Sequence, residues 1–365
     1  MSVTKVIIHL ENFRHNIACV RQQVGPHPLI CAPVKADAYG HGAITIAKTA
    51  LNAGAAYLAV ARVSEGVQLR RAGITAPLLF LSLALPQELR RIAAYRLSPF
   101  VAEHQDISRL VYAASSAGVR IPVHLKIDTG MGRLGCRPEE AVELARHIVQ
   151  SPALEYAGTA THLAVSDSQT LADMQYTTRQ LSLFADAVGA IRQAGIDPGL
   201  VHAANSGAVI QHPSAYLDMV RPGIILYGYS ELPGLAFEPV MELRSTLIFI
   251  KKVYAGESIS YGRTWTASAD TQIATIPVGY ADGLNRRLSG KHRVLIKQQF
   301  YPLVGRICMD QCMVDLGAET DIRRGDSVTI FGGEADSAAV LASHIGSIPY
   351  ELTCALNKRV PRLFV

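Results

Sequence analysis

The sequence has few of the features that mark secreted, metal-binding or membrane proteins. Its 365 residues include only 6 cysteines, and no two of these form a Cys-x-x-Cys pair. We therefore expect neither a disulfide framework nor a bound metal. The N-terminal stretch lacks the apolar core and cleavage site of a signal peptide. No stretch approaches the roughly 20 apolar residues that cross a bilayer, so we predict a cytoplasmic protein without membrane contact.

Strong charge is also missing. The formal net charge is only +5, there is one tryptophan, and adjacent arginines occur in isolated pairs. Without a basic stripe or interleaved aromatics, we expect no nucleic-acid partner, and a mild positive charge favours small anionic molecules. Hydrophobic residues make up 49% of the chain and charged residues 18%. This balance excludes a disordered chain and predicts a large buried core.

The first part of the chain alternates short apolar runs with segments that suit helices. Eight runs predict strands: Leu29–Val34, Ala56–Ala61, Leu78–Leu81, Leu97–Val101, Ile121–Ile127, Tyr156–Thr161, Leu200–Ala203 and Met219–Arg221. Eight alternating strands are the number in a (β/α)8 TIM-type barrel. An open, doubly wound α/β sheet is the competing architecture, and the pattern alone does not exclude it.

The pattern changes after Pro233. Alternating and β-branched runs separated by glycine turns follow, at Val240–Val253, Gln272–Pro277, Arg293–Ile296, Tyr301–Val304, Met313–Leu316 and Ser327–Phe331. Such runs predict a mostly antiparallel β-domain. We therefore divide the chain into a barrel over residues 1–230 and a β-domain over residues 231–365.

Reactive side chains follow several predicted barrel strands, where barrel enzymes place their active sites. Lys35 follows the first strand, and Lys126 and Arg133 lie at and after the fifth. For a lone lysine, an ion pair or a solvent-directed amine is the commoner explanation. However, glycine-rich turns after the seventh and eighth strands, with Ser206 in the first, are typical of a phosphate site. A reactive lysine facing a phosphate suggests pyridoxal phosphate, with a Schiff-base aldolase for sugar phosphates as the rival.

Seven blocks in fixed order carry a more specific signal. They are Pro33–Gly42 (PVKADAYGHG), His124–Gly135 (HLKIDTGMGRLG), His202–Ser206 (HAANS), Arg221–Gly228 (RPGIILYG), Ser260–Trp265 (SYGRTW), Gly279–Gly283 (GYADG) and Gly305–Asp310 (GRICMD). Together they resemble the alanine racemase family of fold-type-III pyridoxal-phosphate enzymes. The resemblance runs from Val34 to Arg362, nearly the whole chain.

The resemblance implies racemisation of L- and D-alanine by two bases, which supplies D-alanine for peptidoglycan. Lys35 resembles the lysine that forms a Schiff base with pyridoxal phosphate and acts on one face of the substrate. Tyr261 resembles the base on the other face, and His162 and Arg221 are expected to stabilise its phenolate through hydrogen bonds. Arg221 also resembles the arginine that faces the pyridine nitrogen and, because it keeps its proton, weakens the ring as an electron sink.

The remaining roles come from the same resemblance. The expected cofactor contacts are Tyr39, His162, His202, Ser206, Arg221, Gly223, Ile224 and Tyr350. Arg133 and the Met309 backbone N–H resemble the site for the substrate carboxylate. Lys126 matches a position that is often carbamylated, and a carbamate there would hold Arg133 by charge-assisted bonds.

The family's assembly is a homodimer in which Tyr261 and Met309 complete the site of the partner subunit. Asp167, Tyr280, Arg286 and Arg306 are expected along the access path, although ordinary surface polarity explains them about equally well. Small departures from the family pattern, such as Leu163 after His162, leave a serine or broader-specificity racemase open. A pyridoxal-phosphate carrier on the same barrel is less consistent, since it has no use for Tyr261 or Arg133.

Overall fold

The computed structural model describes residues 3–230 and 232–365. The first strand, β1 (Lys5–Ile8), precedes the eight strands of a parallel sheet. Those eight are β2 (Leu29–Pro33), β3 (Tyr57–Val60), β4 (Leu78–Leu83), β5 (Ser98–Val101), β6 (Ile121–Lys126), β7 (Leu154–Ala160), β8 (Leu200–His202) and β9 (Met219–Val220). Each overlaps one of the eight runs predicted from the sequence.

The parallel strands curl into a barrel. They pair in chain order from β2 to β8, and β9 pairs with β2. Two backbone hydrogen bonds bridge the remaining gap, from Asp218 N–H to the Val201 carbonyl (3.0 Å) and from Arg221 N–H to the Ala204 carbonyl (2.8 Å). The predicted (β/α)8 barrel is therefore confirmed, and the open doubly wound sheet is wrong.

Burial explains why most residues of these strands are apolar. Parallel strands covered on both faces need apolar side chains on both sides. One face packs against the helices α1 (Leu10–Val24), α2 (Lys35–Tyr39), α3 (Ala43–Asn52), α4 (Val63–Arg71), α5 (Leu89–Ala94), α6 (His104–Ala117), α7 (Ala141–Val149), α8 (Leu171–Gln193) and α9 (Ser206–Gln211). The other face fills the barrel with one residue from each of six strands: Cys31, Ala59, Leu79, Phe100, Ala160 and Met219.

The second half of the chain is built on a nine-stranded sheet. Its members are β1 together with β10 (Met241–Thr246), β11 (Phe249–Val253), β14 (Thr271–Ile276), β15 (Arg293–Ile296), β16 (Gln299–Val304), β17 (Cys312–Asp315), β18 (Ser327–Phe331) and β19 (Arg362–Phe364). Every pairing is antiparallel except that of β1 with β19. The predicted antiparallel β-domain is confirmed.

The sheet contains strands from both ends of the chain. β1 lies between β10 and β19, with Val6 opposite Leu243 on one side and Arg362 on the other. The sequence analysis did not predict β1. The proposed division at residues 230 and 231 remains a prediction, and residue 231 itself lies outside the described part of the chain.

The structure corrects one strand and adds two helices. The run Val240–Val253, read as one strand, is two: β10 lies beside β18, whereas β11 lies at the sheet edge beside β14. The chain turns because Leu247 is buried and its N–H bonds to the Asp326 carbonyl (3.0 Å). A small hairpin of β12 (Ser258–Ile259) and β13 (Trp265–Thr266) follows, and α10 (Ala338–Ile345) and α11 (Pro349–Ala355) come near the C-terminus.

Among the described residues, no helix has the length and apolar character needed to cross a bilayer. The six cysteines are all free thiols. Within residues 3–230 and 232–365, no group of three or more His, Cys, Asp or Glu side chains is arranged to hold a metal ion.

Candidate active site

A cavity of about 620 Å³ lies at the carboxyl ends of the barrel strands. It brings together residues that are far apart in the sequence, from the turn after β2 to helix α11. Eleven predicted site residues line it: Lys35, Tyr39, Lys126, Arg133, His162, Asp167, Ser206, Arg221, Gly223, Ile224 and Tyr350. His202 does not line it but lies directly behind Arg221.

Lys35 begins a turn with an unusual backbone. The residues Ala36, Asp37, Ala38 and Tyr39 all have φ between 51° and 55°, in the left-handed region. Each costs about 1–2 kcal/mol in that conformation, so the surrounding structure must hold the turn. Glu65 does so, because one carboxylate oxygen accepts from Ala36 N–H (2.7 Å) and the other from Ala61 N–H (2.8 Å).

The environment of Lys35 favours the neutral amine. Burial lowers the pKa of Lys35, and the nearby positive charge of Arg133 lowers it further, against the opposing effect of Glu65. A neutral amine carries the lone pair that attacks an aldehyde or accepts a proton. The turn therefore presents a nucleophile inside the cavity.

Arg221 is buried and is held by neutral acceptors. Its guanidinium donates to the carbonyls of Thr161 (2.7 Å) and Ala203 (2.9 Å) and to Nδ1 of His202 (2.6 Å). Burial lowers its pKa to about 10, so it remains a cation near neutral pH. Because Arg221 supplies the proton at His202 Nδ1, the other ring nitrogen of His202 carries the hydrogen, which it donates to Nδ1 of His124 (3.0 Å).

His162 sits beside this arginine. Its Nδ1 lies 3.5 Å from an Arg221 nitrogen. Burial and then the charge of Arg221 lower the pKa of His162 to about 2, so the ring is neutral at physiological pH. With Nδ1 facing a donor, Nε2 carries the ring hydrogen. His162 is therefore a hydrogen-bond donor on its remaining side rather than a second cation.

A cluster of donors lies between the turns after β8 and β9. Gly223 N–H donates to the Ser206 hydroxyl oxygen (2.8 Å). A methyl group added at Gly223 would lie 2.9 Å from the Tyr39 hydroxyl and 3.6 Å from that of Ser206, so only glycine lets these groups approach. Burial raises the pKa of Tyr39, which keeps its phenol protonated. Hydroxyl and amide donors converging at a helix start suit a phosphate.

Lys126 and Arg133 form the opposite part of the cavity wall. Lys126 is almost wholly buried, and its amine donates to the Ile127 carbonyl (3.2 Å). Burial, assisted by the charge of Arg221, lowers its pKa to about 7. The loop that carries Arg133 is tied by Asp128, whose carboxylate accepts from Gly130 and Gly132 N–H (2.9 and 3.1 Å).

The other predicted site residues lie on the β-domain and outside the cavity. Tyr261 is 70% exposed, Met309 53% and Tyr280 44%. Tyr280 N–H bonds to the Cys308 carbonyl (3.1 Å), and the Ser260 hydroxyl to that of Arg306 (2.6 Å). Three sequence blocks therefore meet on one surface, which we call the Tyr261 patch: Tyr261, Tyr280, Arg306 and Met309. Arg286 lies in an adjacent turn, joined through Ser289 to Ile307.

The sequence analysis missed several residues that hold the site. Glu65 fixes the Lys35 turn but lies in a helix without a recognisable motif. Tyr227 packs its ring 4.8 Å from that of Tyr39 and donates to the Pro33 carbonyl (2.8 Å). The Arg221–Gly228 block contains Tyr227, so its position beside known site residues was the available signal.

Comparison with known proteins agrees with this arrangement. Residues 8–231 match the model of the alanine racemase N-terminal domain, and residues 240–364 that of the C-terminal domain. Alanine racemases of Treponema denticola and Treponema pallidum are 49% and 45% identical to the chain; each alignment covers 100% of the chain and 99% or 100% of the relative.

Solved structures give the same result. An alanine racemase from Clostridium difficile 630 superposes with a TM-score of 0.95 at 36% identity, over 100% of this chain and 96% of that one. The enzyme from Streptomyces lavendulae gives a TM-score of 0.93 at 32% identity, covering 100% and 97%. Sequence, fold and cavity thus agree, and the chain belongs to the alanine racemase family.

Proposed function

We propose that the protein interconverts L- and D-alanine on pyridoxal phosphate, with active sites shared between two subunits. The observation that carries this proposal is one cavity lined both by Lys35, an amine whose pKa is lowered by burial, and by Arg221, a buried cation bonded to neutral acceptors. The alanine racemase names of full-length relatives supply the substrate. The D-alanine formed would serve peptidoglycan synthesis in the cytoplasm.

The residues present fit pyridoxal phosphate. Lys35 offers an amine for the aldehyde, and Tyr39, Ser206 and the amide of Ile224 offer donors for the phosphate, with the Gly223 amide, now bonded to the Ser206 hydroxyl, beside them. Tyr350 completes that wall from α11. Arg221 is a fixed donor for the ring nitrogen, oriented from behind by His202. When bound, the cofactor would supply an electron sink that acidifies the substrate Cα–H bond.

The chain itself must then move a proton at the substrate Cα. Lys35 Nζ, whose burial favours the neutral form, suits removal or return of the proton on one face. Arg221 does not release its proton readily. It would therefore leave the ring of a bound cofactor a weaker electron sink than an acid would, and this would limit side reactions at the same carbon.

The opposite face needs a second base, and we assign it to Tyr261 of the partner subunit. Within one chain Tyr261 lies on the exposed patch and has no access to the cavity lining. A homodimer with two-fold symmetry would bring each patch to the other chain's cavity. There the Nε2–H of neutral His162, backed by Arg221, would stabilise the phenolate of the incoming tyrosine.

Substrate binding would combine groups from both chains. Arg133 would bind the substrate carboxylate together with the backbone N–H of Met309 of the partner subunit. The neutral amine of Lys126 suits carbamylation by carbon dioxide, because only an unprotonated amine reacts. The resulting anion would hold Arg133 by charge-assisted hydrogen bonds. Asp167, which lines the cavity, and Tyr280, Arg286 and Arg306 of the partner would form the access path.

The test begins with the purified protein and pyridoxal phosphate. We expect D-alanine to form from L-alanine and the reverse, with serine a poorer substrate by kcat/KM. Borohydride reduction followed by peptide mapping should place the cofactor on Lys35. A protein that binds the cofactor on Lys35 but racemises nothing would be a carrier, and one that prefers serine would be a serine racemase. Either result would contradict the proposal.

A further inference from the structure

A side-chain network joins the Tyr261 patch to the C-terminal segment that follows α11. Arg359 donates from Nε to the Asp282 carboxylate (2.6 Å) and from Nη2 to the Asp310 carboxylate (2.7 Å). Asp310 is the residue after Met309. The sequence analysis assigned Arg359 no role, and it does not line the cavity.

The two halves of this network differ in burial. The side chain of Asp282 is 7% exposed, and it also accepts from Gly279 N–H (2.8 Å). The side chain of Asp310 is 60% exposed. A surface ion pair adds little stability, with a median near 0–1 kcal/mol. The Asp282 half therefore anchors Arg359, and the main effect of the Asp310 half is on the position of the loop.

That loop is close-packed elsewhere, which restricts how it can move. Ala281 N–H donates to the Met309 carbonyl (3.0 Å), and a methyl group at Gly279 would lie 2.2 Å from the same oxygen. Met309 is thus held from one side by the Gly279–Gly283 block. Arg359 adds a second tie through the next residue, Asp310, while it also bonds Asp282 of the same block.

The segment that carries Arg359 is itself fixed to the barrel. Arg362 donates to the carbonyls of Leu356 and Asn357 (both 2.7 Å) and to the Gly40 carbonyl (3.0 Å), at the end of the Lys35 turn. Asn357 N–H donates to the Asp282 carbonyl (3.0 Å). Arg359 therefore ties the Met309 loop to a segment anchored on the barrel.

We propose that Arg359 is a positioning residue for substrate binding that acts on the partner's site. By bonding Asp310, Arg359 fixes the position of the neighbouring Met309 backbone N–H. That N–H can then donate to the substrate carboxylate in the other subunit's cavity. This inference rests on the proposed shared site. Its consequence is that loss of Arg359 damages the cavity of the other chain and leaves the cavity of its own chain intact.

The first test uses homodimers loaded with the cofactor. Arg359→Met should raise KM for alanine by about tenfold with little change in kcat, because a misplaced donor weakens substrate binding throughout the reaction. Asp310→Ala should give the same KM change and keeps the Asp282–Arg359 pair, so it controls for misfolding. Arg293→Met, which breaks the ion pair between Arg293 and Asp336 elsewhere in the β-domain, should leave KM unchanged.

The decisive test uses hybrid dimers, made by co-expressing two differently tagged chains. Paired with a Lys35→Ala chain, an Arg359→Met chain keeps its own lysine and receives an intact Met309 loop. We expect this hybrid to have the same KM as a hybrid of a Lys35→Ala chain with a wild-type chain. When both substitutions are on one chain and its partner is wild type, the only working cavity receives the altered loop, and we expect the raised KM.

The outcomes separate this inference from the proposed function. A Lys35→Ala/Tyr261→Phe hybrid should have one fully active site if sites are shared, and its inactivity would overturn the shared site itself. If that hybrid is active but the Lys35→Ala/Arg359→Met hybrid keeps the raised KM, Arg359 acts within its own chain and our inference is wrong. An unchanged KM in the Arg359→Met or Asp310→Ala homodimer would also overturn it.

Discussion

The barrel cavity and the Tyr261 patch contain residues that we assign to the same reaction, but their environments are opposite. The cavity encloses Lys35, Lys126, His162 and Arg221. Burial lowers the pKa of each of these side chains, which favours the neutral form. On the patch, Tyr261 is 70% exposed. The side chains of the cavity are buried within a single chain, whereas Tyr261 on the patch is exposed to solvent.

This difference shows that burial is the main cause of the pKa shifts in the cavity. Removing water changes the energy of a charge much more than a neighbouring surface group does. Under the proposed function, burial against a second subunit would place Tyr261 in an enclosed environment, and the cavity residues of one chain would not be sufficient for racemisation.

The largest effect is expected in the cavity. Lys35→Ala should lower racemase activity by about 10⁴-fold or more, because it removes both a base and the amine that holds the cofactor. The measurement is D-alanine formation by the purified variant. Lys48→Ala, at an exposed position of α3, should retain full activity. Substantial residual activity of Lys35→Ala would show that racemisation does not depend on the Lys35 amine in this cavity.

The patch should show a comparable but smaller effect. Tyr261→Phe should lower kcat by about 10³-fold, since the ring remains but the proton-transfer group is lost. Tyr254→Phe provides a matched control, because Tyr254 is 55% exposed on the same domain and belongs to none of the family-like blocks. Equal rates for Tyr261→Phe and wild type would show that the two regions do not share one reaction.

The packing of helix α11 on the Lys35 turn, which closes one side of the cavity, can be tested at Gly40. Gly40 has φ +83°, and a methyl group there would lie 2.1 Å from the Thr353 carbonyl of α11. Gly40→Ala should therefore lower the free energy of unfolding by about 3 kcal/mol through strain and a backbone clash. Thermal or urea unfolding measures it.

Gly54→Ala is the control for strain alone. Gly54 has φ +98° and open space around it, so this substitution should cost about 1 kcal/mol. If Gly40→Ala and Gly54→Ala lower the free energy of unfolding by the same amount, the close packing of α11 on the Lys35 turn does not contribute to stability.

The smallest effect on activity is expected at Lys126. Lys126→Met should lower kcat/KM about tenfold, because Arg133 would lose an anionic partner. Mass spectrometry of the native wild-type protein should detect the added carbamate. A wild-type protein that carries no modification in bicarbonate would contradict this part of the mechanism.

The same lysine predicts a pH dependence of stability in bicarbonate-free buffer. Its pKa falls from the ordinary value of 10.5 to about 7 on folding, so the unfolded chain binds more protons between these values. The destabilisation by Lys126 is full below pH 7 and declines as the pH rises toward 10.5. The stability gained by Lys126→Met should therefore shrink over this range; a constant difference would show that burial does not perturb Lys126.

Much of the barrel and its cavity could be predicted from local pattern. Fully buried parallel strands are apolar throughout, so eight short runs were recognisable, and reactive residues at their ends marked the cavity. The β-domain was harder to read. Val240–Val253 contains no glycine, proline, asparagine or aspartate to mark a turn, and only the burial of Leu247 against another part of the chain divides it into two strands.

The roles of individual residues could be predicted only where the residues lie in one of the seven family-like blocks. Lys35 and Tyr261 stand out because they lie in family-like motifs. Glu65 and Arg359 do not, and each acts through a partner far away in the sequence: Ala36 for Glu65, and Asp282 and Asp310 for Arg359. No spacing rule links such pairs.

Local pattern was enough for the alternating strands and helices and for the antiparallel domain. The seven blocks added the family, its barrel and the residues that meet at the strand ends, since hydrophobic period and short motifs are properties of neighbouring residues. The tertiary structure alone decided the left-handed Lys35 turn, the place of β1 between β10 and β19, and the separation of Tyr261 from the cavity. These depend on burial and on hydrogen bonds between distant segments, whose energies exist only once the chain has folded.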